Sequence, residues 1–328
     1  MSPSGALLTQ TRLPRPCSSS PATVPATSPA RRLASTAASV PSSGRALALP
    51  HQQNQRREPM AGELEGRVSI VTGGGSGMGR ATSLLLAREG AAVAIADVND
   101  EGGEQTAAQI EDLGGESLFV HTDVSSEQDV ANAVAEAAGR FGKLDSIVTA
   151  AGISYANYLE GDDDTDPFLH PTEAGSSLNR PTEFWQKVID VNLTGVMLCA
   201  REAARQMVAE GHGGTIVNFA STAAYNPSPN MTDYCVSKTG VVMLTRCFAA
   251  EFGPHGIRVN AVAPGPIETP MLARVHRARG GSGSFDSLPL GRTAQPEEVA
   301  ELVLFFTSER SSYVTGKTLG VDGGTSTL

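Results

Sequence analysis

The chain has 328 residues, 40% of them apolar, which is enough for one large core and leaves no run long enough to read as a membrane-spanning helix. Its formal charge of −10 is unevenly spread: residues 1–59 hold seven arginines and one acid (+6), leaving −16 on residues 60–328. An acidic body of that kind argues against nucleic acid or an anionic membrane surface as partner.

Residues 1–59 are rich in Ser, Pro, Ala and Arg and cannot bury much surface, so they are expected to be disordered. Three readings stand open for them. They are an upstream in-frame translation ahead of a natural start at Met60, an Arg-rich and acid-poor organelle transit peptide, or a basic functional arm. The first places the protein in the cytoplasm, the second in a chloroplast or mitochondrion. Cys17, Cys199, Cys235 and Cys247 have neither zinc-site nor disulfide-framework spacing, so reduced thiols are expected.

From residue 60 a single domain is expected, with strands and helices in alternation. Strand 67–72 precedes helix 77–90, strand 91–97 precedes helix 100–115, and strand 116–124 precedes a helix capped by Ser125 or Ser126. The apolar segment 144–152 follows, then helix 182–209, strand 214–220, helix 232–253, strand 257–263, helix 295–306 and strand 317–321. Short apolar runs alternating with helices describe α/β architecture: a Rossmann-type, doubly wound, seven-stranded parallel sheet with helices on both faces. Two irregular segments, 153–181 and 266–292, follow the carboxyl ends of strands, where ligands bind in such sheets.

The stretch VTGGGSGMGRA (71–81) joins the first strand to the first helix. Gly73, Gly77 and Gly79 permit a tight turn and close approach of backbone to a pyrophosphate, with Ser76 and Met78 between them and free helix N–H groups facing the anion. Asp97 ends the second strand, where a carboxylate accepts the ribose hydroxyls of NAD and repels the 2′-phosphate of NADP. Further on, Tyr234 and Lys238 share one helix face at i, i+4, with Ser221 thirteen residues upstream. A phenol is too weak an acid to act as a base at neutral pH unless a nearby ammonium favours the phenolate.

These motifs, in this order and spacing, resemble the short-chain dehydrogenase/reductase family across residues 64–324. The matching pieces are Thr72-Gly73-x-x-x-Gly77-x-Gly79, Asp123-Val124, Ala151-Gly152, Asn192, Ser221, Tyr234-x-x-x-Lys238, Pro264-Gly265 and a terminal VDGG. The resemblance implies that Tyr234 exchanges a proton with substrate, that Ser221 hydrogen-bonds the same oxygen, and that Asn192 supports a water relay to Lys238. Lys238 and Tyr234 would also meet the nicotinamide ribose. It further implies that Asp123 and Val124 flank the adenine, that Gly152 lines the cofactor, and that Ile267 and Thr269 after Pro264-Gly265 contact carboxamide and phosphates. Thr149-Ala150-Ala151-Gly152 stands where the family shows Asn-Asn-Ala-Gly, so no side-chain contact is expected at 150.

The expected activity is interconversion of a secondary alcohol and a ketone with NAD. The alternatives are an NADP-dependent 3-oxoacyl (acyl-carrier-protein) reductase and a dinucleotide-binding sensor or scaffold. Asp97 counts against the first and the intact Ser-Tyr-Lys-Asn set against the second. No metal is expected: Asp162, Asp164, Asp166 and Glu173 have calcium-loop spacing, but Pro167 stands where the turn needs glycine. Tyr155, Tyr158 and His170 are candidates for lining the substrate pocket. A homo-oligomer, tetramer favoured, is implied by the family and by surplus apolar residues on helices 182–209 and 232–253.

Overall fold

The computed structural model describes residues 62–154, 176–273 and 288–327. Seven strands form one sheet: β1 (Val68–Thr72), β2 (Ala92–Asp97), β3 (Ser117–His121), β4 (Ser146–Thr149), β5 (Gly214–Phe219), β6 (Ile257–Pro264) and β7 (Thr318–Val321). Their order is β3-β2-β1-β4-β5-β6-β7, with every neighbouring pair parallel. The helices are α1 (Gly77–Arg88), α2 (Asp100–Asp112), α3 (Glu127–Phe141), α4 (Thr182–Ile189), α5 (Gly195–Glu210), α6 (Thr232–Phe252) and α7 (Pro296–Thr307).

Period-two alternation along the strands builds a core on each face of the sheet. Val68, Ile70, Ile147, Ile216 and Val259 pack with Val130 and Val134 of α3 and with Leu198 and Met207 of α5. Val71, Ile95, Val148, Val217 and Val262 pack with Leu86 of α1, Ile110 of α2 and Val299 and Val303 of α7. Both layers are needed because β1 and β4 are buried at every position.

The expected single helix 182–209 is interrupted. Between α4 and α5 lies a π-helical turn, Asp190–Thr194, that carries the buried Asn192. Two local causes are visible. Asn192 is held by the backbone of Ile153 on both sides of its amide. Next to it Gly195 packs so closely on Val124 that a Cβ would stand 2.9 Å from its side chain.

Among the described residues no helix is long and apolar enough to cross a membrane, and no group of three or more His, Cys, Asp or Glu could hold a metal. Tyr155, Tyr158, His170 and the acidic run around Asp162, Asp164, Asp166 and Glu173 lie outside the described residues, as do residues 1–61 and 274–287.

Candidate active site

An open cleft lies at the carboxyl edge of the sheet, over the point between β1 and β4 where the strand order reverses. The glycine loop forms its floor. Gly73 has φ of +66°, and a Cβ there would sit 2.7 Å from the backbone of Ala151, so the loops after β1 and β4 touch through glycine alone. A Cβ on Gly79 would meet the Gly73 carbonyl at 2.0 Å, which locks the start of α1 onto the turn. Ser76, the residue before α1, makes no side-chain cap, and the first turn of α1 holds no acid. By contrast α2 is capped by Asn99 and α3 by Ser126, each with two acids in its first turn. The N–H groups and positive dipole end of α1 are therefore left for an external anion.

Asp97 closes one end of the cleft. Its Oδ2 accepts the Gly75 N–H at 2.8 Å and its Oδ1 the Asn99 N–H at 3.0 Å, so the carboxylate is fixed in place with lone pairs to spare. Asp123 and Val124 continue the wall from the end of β3, next to Ala96 and Val98. Asp123 accepts from the Ser125 N–H at 2.9 Å. Arg80 supports the loop from behind: its guanidinium donates to the Gly75 carbonyl at 2.5 Å and to Thr106 Oγ1 at 3.1 Å. Gly73, Ser76, Gly77, Met78, Gly79, Gly152 and Thr269 all line the same cleft. Glycine cradle, open helix end and fixed carboxylate fit a dinucleotide: the α1 terminus would hold the pyrophosphate and Asp97 a ribose.

Pro264, Gly265 and Ile267 are placed behind this wall. The Gly265 N–H donates to the Val321 carbonyl at 3.0 Å, and the Ile267 side chain is buried in the core with α7. Thr269 presents its side chain to the cleft opposite Gly77, and Pro270 and Met271 after it line the cleft as well.

Gly152 lines the cleft, and behind it stand Asn192 and Lys238, which with Ser221 and Tyr234 make up the set expected to handle a proton; none of the four is itself in the cleft wall. A Cβ on Gly152 would stand 3.2 Å from Asn192 Oδ1 and 3.4 Å from Lys238 Nζ, so this glycine keeps the corner open. Lys238 is buried and donates from Nζ to the Phe219 carbonyl at 2.9 Å. Burial pushes its ammonium down to about 8. Nζ lies 5.8 Å from the centre of the Tyr234 ring, one turn earlier on α6. Asn192 Nδ2 donates to Ser237 Oγ at 3.3 Å, which ties the π-helical turn to α6 between those two residues. Ser221 follows β5, and its Oγ accepts the Ala223 N–H at 3.1 Å. That contact consumes a lone pair and leaves the hydroxyl proton to be donated elsewhere.

Arg80, the Phe219 carbonyl and Ser237 escaped the sequence reading. The helical spacing of Ser237 and Lys238 behind Tyr234 marks which neighbours share its turn. Nothing in the sequence pairs Lys238 with a carbonyl nineteen residues away.

Sheet order, switch-point cleft and Tyr-Lys helix together define a dinucleotide-dependent oxidoreductase. A family model described as Enoyl-(Acyl carrier protein) reductase matches residues 73–326. The chain is 42% identical over 258 residues to a cis-4-hydroxycyclohexanecarboxylate dehydrogenase of Sinomonas cyclohexanicum, covering 79% of this chain and 96% of that protein. It superposes on a short-chain dehydrogenase/reductase of Mycobacterium marinum with a TM-score of 0.70 and 35% identity, over 80% and 96% of the two chains. A 7α-hydroxysteroid dehydrogenase complexed with NADH and 7-oxo glycochenodeoxycholic acid gives 0.69 and 29%, over 80% and 94%. The protein belongs to the short-chain dehydrogenase/reductase family, enzymes that act on CH–OH groups with NAD(P).

Proposed function

We propose that this protein interconverts a secondary alcohol and a ketone with NAD in preference to NADP, and that ring-bearing alcohols are its substrate class. The observation that carries the cofactor choice is the charge of the cleft. Among the described residues that line it, Asp97 and Asp123 are acidic and none is lysine or arginine. A 2′-phosphate would meet carboxylate without a cation to hold it. The same charge pattern speaks against the NADP-dependent acyl reductase. The ring preference is suggested by the cyclohexane and steroid rings in the names of two of the similar proteins.

When bound, the dinucleotide supplies the hydride acceptor or donor. The chain's own residues handle the proton. Tyr234 takes it from the substrate hydroxyl in oxidation and returns it to the carbonyl oxygen in reduction. The Ser221 hydroxyl donates to that same oxygen and aligns it. Lys238, still mostly charged at pH 7, favours the phenolate, and with an affinity near 8 it exchanges its proton more readily than an exposed lysine. Asn192 holds Ile153 and Ser237 in register around it. Part of the same reading is a homo-oligomer, tetramer favoured, built on α5 and α6, where Val208, Val236 and Met243 are exposed. The cytoplasm is the compartment proposed with it.

A panel of ring-bearing alcohols and ketones assayed at 340 nm with each dinucleotide tests this. Higher kcat/KM with NAD is expected, and Asp97→Ala should narrow the preference by about tenfold or more, roughly the worth of one charged hydrogen bond. Better kcat/KM with NADP in the parent enzyme would refute the cofactor assignment.

A further inference from the structure

Tyr234 is the third residue of α6, in a part of a helix that is ordinarily loose. The first turn has N–H groups without intrahelical acceptors, and the residue before α6, Met231, provides no capping side chain. A catalytic phenol presented from such a turn needs an anchor, because a displacement of about 1 Å can cost 10²-fold in rate.

The anchor is a buried ion pair next to it. Asp233 is fully buried, and its Oδ1 accepts the N–H of Tyr234 itself at 2.9 Å. Its Oδ2 accepts from Arg180 Nη1, and the Arg180 side chain is 7% exposed. The other arm of the guanidinium, Nη2, donates to the Asn230 carbonyl at 2.8 Å. Asn230 has φ of +65°, the one left-handed residue other than glycine among the described residues. One guanidinium thus clamps the strained turn before α6 to the residue that holds the Tyr234 amide. A second stitch, between the hydroxyls of Ser177 and Thr232 at 2.8 Å, fastens the same segment beside it.

We infer that Arg180 is a positioning residue for Tyr234, acting through Asp233 to fix the first turn of α6. The inference rests on Tyr234 being the proton-transfer residue of the proposed function. A buried ion pair contributes little stability beyond an apolar pair of the same size, so stability does not account for it; a single geometry does. The fork of arginine is required, since an ammonium cannot reproduce two fixed, divergent donors.

The test is the double variant Arg180→Met/Asp233→Asn. It keeps a side-chain oxygen for the Tyr234 amide and leaves no buried charge unpaired. Its melting temperature should stay within a few degrees of the parent and its KM for NAD within about twofold, while kcat falls by about 10–10². Amide exchange of residues 232–236 should accelerate. Arg180→Lys, which keeps the charge, should move kcat and exchange in the same direction by less. Parental kcat and exchange in the double variant would overturn the inference. So would a loss of kcat accompanied by an equal loss of NAD affinity, which would mark a general collapse of the site. Should the double variant not fold, Arg180→Lys decides by the same two readouts. Absence of turnover by the parent on the alcohol panel counts against the proposed function instead; exchange at 232–236 then decides alone, and unchanged protection sinks the positioning role.

Discussion

Arg180 and Lys238 each place a buried cation at α6, one against Asp233 and one carried by the helix itself five positions further on, and the protein treats them differently. The guanidinium of Arg180 meets a carboxylate, Asp233, together with the carbonyl of Asn230. The ammonium of Lys238 donates to a carbonyl, that of Phe219, and burial pulls its proton affinity down to about 8. A neutralised cation is inert and serves geometry. A buried cation with a carbonyl and a ring face but no carboxylate for company is held closer to losing its proton, and the proposed function makes that useful, since it asks the neighbouring phenol to gain and lose one.

The largest effect expected is from the group on which both cations act. Tyr234→Phe keeps the ring and removes the proton. Turnover should fall by about 10²–10⁴ while NAD binding, measured by fluorescence titration, persists. In that background, changes at Arg180 or Lys238 should alter the residual rate little, because there is no phenol left to position or to charge. Near-normal turnover of Tyr234→Phe would remove the basis for treating the two cations as parts of one device.

Lys238→Met separates function from stability. Turnover should drop by about 10² or more, yet the fold should not suffer. The folded pKa of Lys238 lies below the unfolded value of 10.5, at about 8. Below pH 8 both states are protonated and the fold bears the full cost of a buried ammonium, about 3 kcal/mol. Between pH 8 and 10.5 the unfolded chain binds the proton more tightly, so this group's contribution to stability rises with pH. The variant should therefore be as stable as the parent or more so at pH 7, with the difference shrinking towards pH 10 in parallel denaturation series. A variant much less stable than the parent at pH 7 would show that the lysine is held as tightly as Arg180.

The contrast also explains what was legible in the sequence. Tyr234 and Lys238 lie one turn apart on one helix, and the glycine loop is continuous, so spacing alone brought each group together. The sheet was equally legible, because apolar runs of five or six residues separated by amphipathic stretches leave few other topologies. Arg180 and Asp233 lie fifty-three positions apart, and their meeting depends on how the segment before α4 docks on α6. The π-helical turn at Asn192 was hidden for the same reason: its cause is contact with Ile153 and Val124, which come from other loops. The Ile267 side chain packs in the core, since an isoleucine beside the α7 layer gains more from burial than from facing an open cleft; a contact from this residue to a cofactor would therefore come from its backbone.

The smallest effect sharpens the comparison by removing burial from it. Arg292 and Glu298 form a two-armed ion pair, with both distances 2.8 Å, on the exposed side of α7. Hydrogen bonds from Arg292, and then from the Gln295 backbone N–H, pull the Glu298 carboxyl down to about 2. A lowered carboxylate stabilises the fold at neutral pH, and that contribution is lost as the pH falls from the unfolded value of 4.5 through the folded value of about 2. The geometry equals or surpasses that of the buried pair, yet water and salt screen it. Glu298→Gln should leave kcat unchanged and lower the melting temperature by about a degree or two, a difference that narrows further in 0.5 M salt. If Glu298→Gln instead matched the loss produced by unpairing Asp233, charge alone would account for both, and burial would not be what sets the clamp on α6 apart.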